Sequence, residues 1–140
     1  MSLRVAPANV NRMHILAVDF GTKRIGLAWA DTSLGVVLPY GVIEEASFIK
    51  KVDALAQLIV SDHIDRVTMG YPLGLDGREN KNTERVKKFT FELQKRCQTP
   101  IDYTDERFSS QAADKLEAGA SRDEKAAMLV LESYLERQKK

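Results

Sequence analysis

The hydrophobic pattern of the chain changes its period near residue 47, and this change limits the folds open to it. Before that point three short apolar runs, at 14–19, 25–30 and 36–43, are separated by short turns at 21–23 and 31–35. Runs of this length are typical of strands, and turns this short connect antiparallel neighbours. We therefore predict a three-stranded antiparallel meander, and Pro39 indicates an edge position for its third strand.

After residue 47 the apolar residues recur at helical spacing, and helices alternate with strands. Two further strands are predicted at 64–69 and 100–104. Four helices are predicted: one over 47–62, one with its apolar face at 86–97 and Asn82 or Thr83 as cap, one through 108–116 ended by Gly119, and one over 122–137.

The predicted element order is β-β-β-α-β-α-β-α-α. Strands that are joined through helices should be parallel, with right-handed crossovers. This predicts an α/β fold with a five-stranded mixed sheet, three antiparallel strands followed by two parallel ones, flanked by helices. The arrangement is RNase H-like, although the order of elements alone also fits other folds.

Length and composition favour one domain in a reducing compartment. The 140 residues suffice for one core, which we assign to 13–140. Residues 1–12 lack the apolar segment of a secretory signal and are predicted to be a flexible extension. Cys97 is the only cysteine, which excludes an internal disulfide and suits the cytoplasm. No apolar run approaches the roughly 20 residues of a membrane span.

Asp19 ends the apolar run of the predicted central strand. Side chains alternate along a strand, so Ile15, Ala17 and Asp19 should share one face. An acid on a buried face is costly unless it is paired or bound to a cation. Asp19 is therefore either a turn-capping residue or a ligand at the carboxyl edge of the sheet, where open α/β sheets place their sites.

Asp123 lies in the first turn of the last predicted helix. Ser121 and Glu124 fit a capping box, so Asp123 could simply complement the helix dipole. However, Asp123 also begins a series of small and apolar residues at helical spacing: Ala126, Ala127, Val130 and Tyr134. This places the acid on the face that should be buried, and we favour a site role.

Glu106 follows the fifth predicted strand, within the sequence Asp105-Glu106-Arg107. These residues could form a solvated turn. Alternatively, a strand two removed from Asp19 lies roughly 10 Å away, and Gly70 on the strand between them has no side chain to fill that gap. Glu106 and Asp19 could then reach one hydrated ion.

Carboxylates at such an edge fit Mg²⁺, which prefers oxygen ligands and retains several waters. Two such ions could activate water and stabilise the leaving oxygen of a phosphodiester. We expect structural roles for both histidines, because His63 lies beside Asp62 near the end of a predicted helix and His14 begins a strand.

Two segments could contact phosphates. The turn Gly21-Thr22-Lys23-Arg24 offers backbone amides, a hydroxyl and two cations next to Asp19, although it could also be an ordinary hairpin turn.

The segment 78–96 carries seven basic and three acidic residues, although the whole chain has a net charge of only +1. Lys81, Arg85 and Lys88 should share one helical face, which is either a solvated surface or one that binds a nucleic-acid backbone. We see no aromatic residues interleaved for base stacking.

Four stretches occur in an order that resembles the YqgF (RuvX) family: AVDFGTKRIGLA at 17–28, GYPL at 70–73 followed by Asp76-Gly77, DERFSS at 105–110, and DEKAA at 123–127. The resemblance covers nearly all of 13–136. It implies an RNase H-like, Mg²⁺- or Mn²⁺-dependent nuclease whose acidic residues are Asp19, Glu106 and Asp123.

The resemblance also implies a substrate. The family is assigned to maturation of the 5′ end of pre-16S rRNA, and was earlier proposed to resolve Holliday junctions. Lys23, Arg107 and Ser109 are then expected to contact nucleic acid. Family members often have two threonines in place of Ser109 and Ser110, and many have a long basic run where this chain has only 119–122.

Other interpretations stay open at this stage. The same acids could serve a homodimer that resolves branched DNA. The Asp-x-Gly-Thr motif at 19–22 also occurs in actin-like ATPases, which enclose nucleotide between two lobes, whereas this length supplies one. An RNA-binding module without turnover is a further alternative.

Overall fold

The computed structural model describes residues 12–74, 76–105 and 119–138. Its elements are the strands β1 (His14–Phe20), β2 (Arg24–Asp31), β3 (Val36–Glu44), β4 (Arg66–Tyr71) and β5 (Ile101–Asp105), and the helices α1 (Phe48–Ser61), α2 (Lys81–Gln94) and α3 (Arg122–Gln138). The predicted extension up to residue 11, the predicted helix at 108–116, and Glu106, Arg107 and Ser109 lie outside the described residues.

The five strands form one mixed sheet in the order β3-β2-β1-β4-β5. β1 pairs antiparallel with β2, and β2 pairs antiparallel with β3. β4 lies parallel between β1 and β5. The predicted sheet is therefore confirmed, including the edge position of β3, the strand that contains Pro39.

Alternation along β1 divides the core into two layers. Leu16 and Val18 face α1 and α2, in a layer whose largest fully buried side chain is Phe89. Ile15 and Ala17 face α3, where the side chains on the sheet are small. Small side chains let α3 approach the sheet closely, and this closeness shapes the site.

Both predicted bounds of β4 need correction. β4 begins at Arg66 rather than 64, because the N–H of Ile64 still bonds the carbonyl of Ile59 at the end of α1. It continues to Tyr71, where it pairs with Asp105.

The cap of α2 is Asn80, not Asn82 or Thr83. Its side chain accepts hydrogen bonds from the backbone N–H groups of both those residues, while the Thr83 hydroxyl accepts from the N–H of Asn80. Asn82 and Thr83 are thus the first-turn residues whose N–H groups need a cap.

No helix within the described residues is long and apolar enough to cross a membrane.

Candidate active site at the carboxyl edge of the sheet

Asp19 is the penultimate residue of β1, at the carboxyl edge of the parallel strands. It follows Ile15 and Ala17 in strand alternation, so its side chain is on the α3 face. The residue is half-buried. The predicted position at the sheet edge is confirmed; the role of Asp19 stays a prediction.

Asp123 lies in the first turn of α3. The predicted capping box is present: the N–H of Glu124 donates to the Ser121 hydroxyl at 3.2 Å, and the N–H of Ser121 donates to Glu124 Oε1 at 3.0 Å. Glu124 Oε2 also accepts from the N–H of Gly41 on β3 at 2.7 Å. These backbone hydrogen bonds, chiefly the one from Ser121, lower the pKa of Glu124. The start of α3 is therefore fixed to the sheet.

The helix face that begins with Asp123 is buried, as predicted. Ala127, Val130 and Tyr134 are each at most 3% exposed and belong to the layer between α3 and the sheet. Asp123 itself stays 34% exposed at the open end of this face.

Gly26 brings the two acids together. It is the partner of Asp19 in the β1–β2 ladder, where paired Cα atoms lie about 4.5–5.5 Å apart. On the α3 face of Gly26, an added Cβ atom would lie 1.9 Å from the carbonyl oxygen of Asp123 and 3.0 Å from its Cβ. The backbone of α3 therefore rests directly on β2, and Asp123 is one strand away from Asp19.

Arg24 forms an ion pair with one of the two acids, Asp123. Its Nε atom lies 3.4 Å from Asp123 Oδ2, and its side chain is 56% exposed. A partly exposed ion pair of this kind contributes little to stability. It does place a positive charge beside Asp123.

The third predicted acid, Glu106, lies outside the described residues, but the strand before it is firmly held. Thr104 on β5 is buried, and its hydroxyl lies 2.7 Å from that of Thr68 on β4. Arg137 of α3 donates to the Thr104 hydroxyl at 2.8 Å and to the carbonyl of Tyr103 at 3.2 Å. Gly70 pairs with Thr104 on the strand between β1 and β5, as the sequence argument required.

The turn after β1 is tight, as predicted. An added Cβ on Gly21 would lie 2.5 Å from the carbonyl oxygen of Arg24, so only glycine fits there. A pocket of about 350 Å³ opens beside this turn, lined by Gly21, Thr22 and, from α2, Arg85.

Lys51, a residue not predicted from the sequence, supports this turn. Its side chain is only 4% exposed, yet its ammonium group donates to the carbonyl of Thr22 and lies 5.1 Å from the ring centroid of Phe20. Its burial could have been predicted from helical spacing, because Lys51 lies three residues after Phe48 and four before Leu55, on the apolar face of α1.

The seven basic residues of 78–96 divide into two groups. Four form ion pairs with nearby carboxylates, namely Arg78, Lys87, Lys95 and Arg96. Lys81, Arg85 and Lys88, predicted to share one face, are exposed and form no ion pair with any residue that the structure describes. Among these seven cations, Lys81, Arg85 and Lys88 therefore carry charge that no carboxylate of the described residues offsets.

The expectation that no aromatic residue interleaves with these cations is wrong. Phe91 is 59% exposed on the outer surface of α2, and Lys95 Nζ lies 4.5 Å from its ring centroid. Spacing could have shown this, because Phe91 follows Lys87 and Lys88 by four and three residues.

Both histidines lie away from the acids. His14 begins β1, at the opposite end from Asp19, with Nε2 3.5 Å from Asp31. His63 follows α1 with a φ of 53°, at the amino end of β4. Within the described residues, no group of three or more His, Cys, Asp or Glu side chains is close enough to hold a metal.

Comparison with solved structures identifies the fold. The chain superposes on T. thermophilus RuvC in complex with a Holliday junction substrate with a TM-score of 0.61 and 13% identity, covering 89% of this chain and 96% of RuvC. It superposes on fowlpox virus resolvase, in complex with Holliday junction DNA, with a TM-score of 0.62 and 15% identity. The superposition covers 91% of this chain and 100% of the resolvase chain. The predicted RNase H-like fold is confirmed.

Sequence comparison identifies the family. A protein of Maridesulfovibrio salexigens named "Putative pre-16S rRNA nuclease" is 37% identical over 134 residues, covering 89% of this chain and 99% of the relative. A protein of the same name from Koribacter versatilis is 35% identical over 134 residues, covering 88% of this chain and 86% of the relative. The RuvX family profile, described as Holliday junction resolvase, matches residues 13–137. The chain therefore belongs to the RuvX family.

Proposed function

We propose that this protein is a metal-dependent endonuclease that hydrolyses phosphodiester bonds in structured RNA, with the 5′ end of pre-16S rRNA as its substrate. The observation that carries the proposal is the contact between Gly26 and the backbone of Asp123. This contact sets two carboxylates, Asp19 and Asp123, on one face of the sheet at its carboxyl edge. The names of the RuvX relatives support the substrate.

The donor set fits Mg²⁺ or Mn²⁺. Hard divalent cations select carboxylate oxygens, and Mg²⁺ is usually held by one or two carboxylates with waters and substrate phosphate completing the shell. Asp19 and Asp123 would provide such ligands. Glu106, two positions after Thr104 in the sequence, is the third in our proposal. When bound, the cation would supply Lewis acidity for water activation and for the leaving oxygen.

The residues around these acids would prepare the site and orient the substrate. Arg24, 3.4 Å from Asp123, offsets the mutual repulsion of the two carboxylates. Lys23 and Arg107 would neutralise the scissile phosphate, and Ser109 would add a hydroxyl donor. Lys51 fixes the Gly21–Lys23 turn through the carbonyl of Thr22. The backbone amides of this turn would therefore be correctly positioned before a phosphate binds.

Cleavage of branched DNA by a homodimer is the second candidate, favoured by the resolvase description of the family profile. Both substrates would use the same acids. Cleavage of precursor rRNA and of a four-way DNA junction, measured under the same conditions, separates the two functions.

The test of the site is Asp19→Asn. We expect Mg²⁺-dependent cleavage of precursor rRNA to fall at least about 100-fold, because even changes to residues that only support metal ligands cost 10–100-fold. The thermal unfolding temperature and RNA binding should stay near wild type, and addition of Mn²⁺ should stabilise the wild-type protein but not the variant.

Asp65→Asn is the matched control for Asp19→Asn. Asp65 Oδ2 accepts the N–H of His14 at 2.8 Å, at the opposite end of the sheet, and asparagine can still accept this bond. Its cleavage rate should equal that of wild type. Wild-type cleavage by the Asp19 variant would remove Asp19 from the mechanism.

A further inference from the structure

Phe91 is an unusual residue for the outer surface of α2. The other phenylalanine of this helix, Phe89, is fully buried in the core, whereas Phe91 is 59% exposed. Lys95 Nζ lies over its ring, 4.5 Å from the centroid, and also bonds Glu92 at 3.2 Å. Lys95 therefore covers one part of the ring, and the rest of the ring is exposed to solvent.

A shallow, open groove of about 540 Å³ lies beside the ring of Phe91, and the residues that line it all belong to α2. It is lined by three cations and one carboxylate together with the ring: Arg85, Lys87, Lys88, Glu84 and Phe91. Arg85 also lines the pocket beside Gly21 and Thr22, next to the candidate active site. The same arginine thus connects the turn that follows Asp19 with the groove at Phe91.

The available charge along this path fits a polyanion. Arg85 and Lys88 form no ion pair within the described residues, whereas Lys87 is bound to Glu79 at 2.7 Å. A guanidinium has five N–H donors, and the bond from Arg85 to Asn82 Oδ1 uses one of them.

Spacing along α2 fits several nucleotides. The six residue steps from Arg85 to Phe91 extend about 9 Å along a helix axis. At roughly 3.4 Å per stacked nucleotide, this distance accommodates two to three nucleotides. A phosphate at Arg85 and a base at Phe91 could therefore belong to one short segment of chain.

We propose that this groove binds an unpaired segment of the substrate strand, with its phosphates against Arg85 and Lys88 and one base stacked on Phe91. The inference rests on the proposed nuclease function, which supplies the substrate. The segment is unpaired because bases inside a duplex stack on one another, whereas an unpaired base can stack on an aromatic side chain. Substrates would accordingly carry single-stranded RNA next to the cleaved bond.

The test measures binding, without cleavage, of a short labelled single-stranded RNA and of a blunt duplex of the same sequence, by fluorescence anisotropy in EDTA. Phe91→Leu should weaken binding of the single strand about 10-fold, because it removes the stacking surface, and should leave duplex binding unchanged. Phe91→Trp should retain or strengthen single-strand binding. Val60→Ala, at an equally exposed apolar residue of α1 (63%), is the control and should bind both RNAs like wild type.

Three results would overturn the inference: unchanged single-strand binding by Phe91→Leu, an equal loss for the duplex, or sedimentation showing that Phe91→Leu dissociates a wild-type dimer. The last would make the groove a contact between two copies of the chain. None of these results alters the Asp19→Asn outcome. Conversely, if Asp19→Asn cleaves normally while Phe91→Leu loses single-strand binding, the proposed active site fails and the groove stands.

Discussion

The two ends of β2 each lie beside an aspartate, and the two aspartates have opposite surroundings. At the carboxyl end of β2, Asp31 is 1% exposed and accepts hydrogen bonds from the Ser33 hydroxyl at 2.6 Å, the Ser33 N–H at 2.9 Å and Arg12 Nε at 3.0 Å. The hydrogen bond from the Ser33 hydroxyl is the largest cause that lowers the pKa of Asp31, to about 2. Its oxygens are occupied by the protein itself.

At the other end of β2, Asp123 lies over Gly26 and stays 34% exposed, with Arg24 at 3.4 Å as its ion-pair partner. Asp19 lies one strand away on the same face. A buried carboxylate surrounded by donors from its own chain contributes to stability, whereas an accessible one beside a second carboxylate can bind a cation. The environment, not the residue type, separates a structural acid from a candidate ligand.

Replacing each of these aspartates in turn by neutral asparagine should separate the effect on cleavage from the effect on stability. Asp123→Asn should reduce Mg²⁺-dependent cleavage at least about 100-fold and change the free energy of unfolding by less than about 0.5 kcal/mol, because its ion pair is partly exposed. Cleavage rates and urea unfolding measure the two effects.

Asp31→Asn is the matched variant at the other end of β2, and should give the opposite pattern: a near-wild-type cleavage rate with reduced stability at neutral pH. If both variants lost cleavage equally, the distinction between the two acids would be wrong.

Gly26→Ala tests the contact that brings the site together. Its Cβ would lie 1.9 Å from a backbone oxygen of Asp123, so α3 must move away from the sheet. We expect a loss of about 1–3 kcal/mol in the free energy of unfolding, as for other overpacked sites. Cleavage should fall about 100-fold, because displacements of 1 Å cost that much in a preorganised site.

Gly119→Ala is the control for this change. An added Cβ there meets no atom of the described residues within 4 Å. Its stability and cleavage should match wild type. A Gly26→Ala protein with wild-type cleavage would show that the position of α3 does not matter to the reaction.

The sheet and the positions of two acids could be predicted from local pattern. Alternation along β1 placed Asp19 on one face, and helical spacing after Asp123 placed that acid on a buried face; both rules depend only on the geometry of one element. The capping box of α3 was likewise predictable, because Ser121 and Glu124 are three residues apart.

What could not be predicted depends on contacts between distant elements. The sequence predicts Asp31 to lie in the turn at 31–35, whereas it ends β2 and pairs with Arg12, 19 residues away, which no local pattern indicates. Spacing could have placed Lys51 on the buried face of α1, but not its partner, the carbonyl of Thr22, which is 29 residues away. The contact of Gly26 with α3 likewise joins residues far apart in the chain, and sequence spacing carries no signal for such pairs.

The smallest expected effect is the loss, at low pH, of the contribution that Asp31 makes to the stability of the fold. A carboxyl group whose folded pKa, about 2, lies below its ordinary value of 3.8 stabilises the fold above pH 3.8 and loses that contribution as the pH falls toward 2. The unfolding temperature of wild type should therefore exceed that of Asp31→Asn most at neutral pH, and the difference should shrink below pH 3.8. Glu124, whose pKa is also lowered, titrates in both proteins, so its effect cancels in the comparison. A difference that stays constant down to pH 2 would mean that the neutral hydrogen bonds, rather than the charge of Asp31, stabilise this end of the sheet.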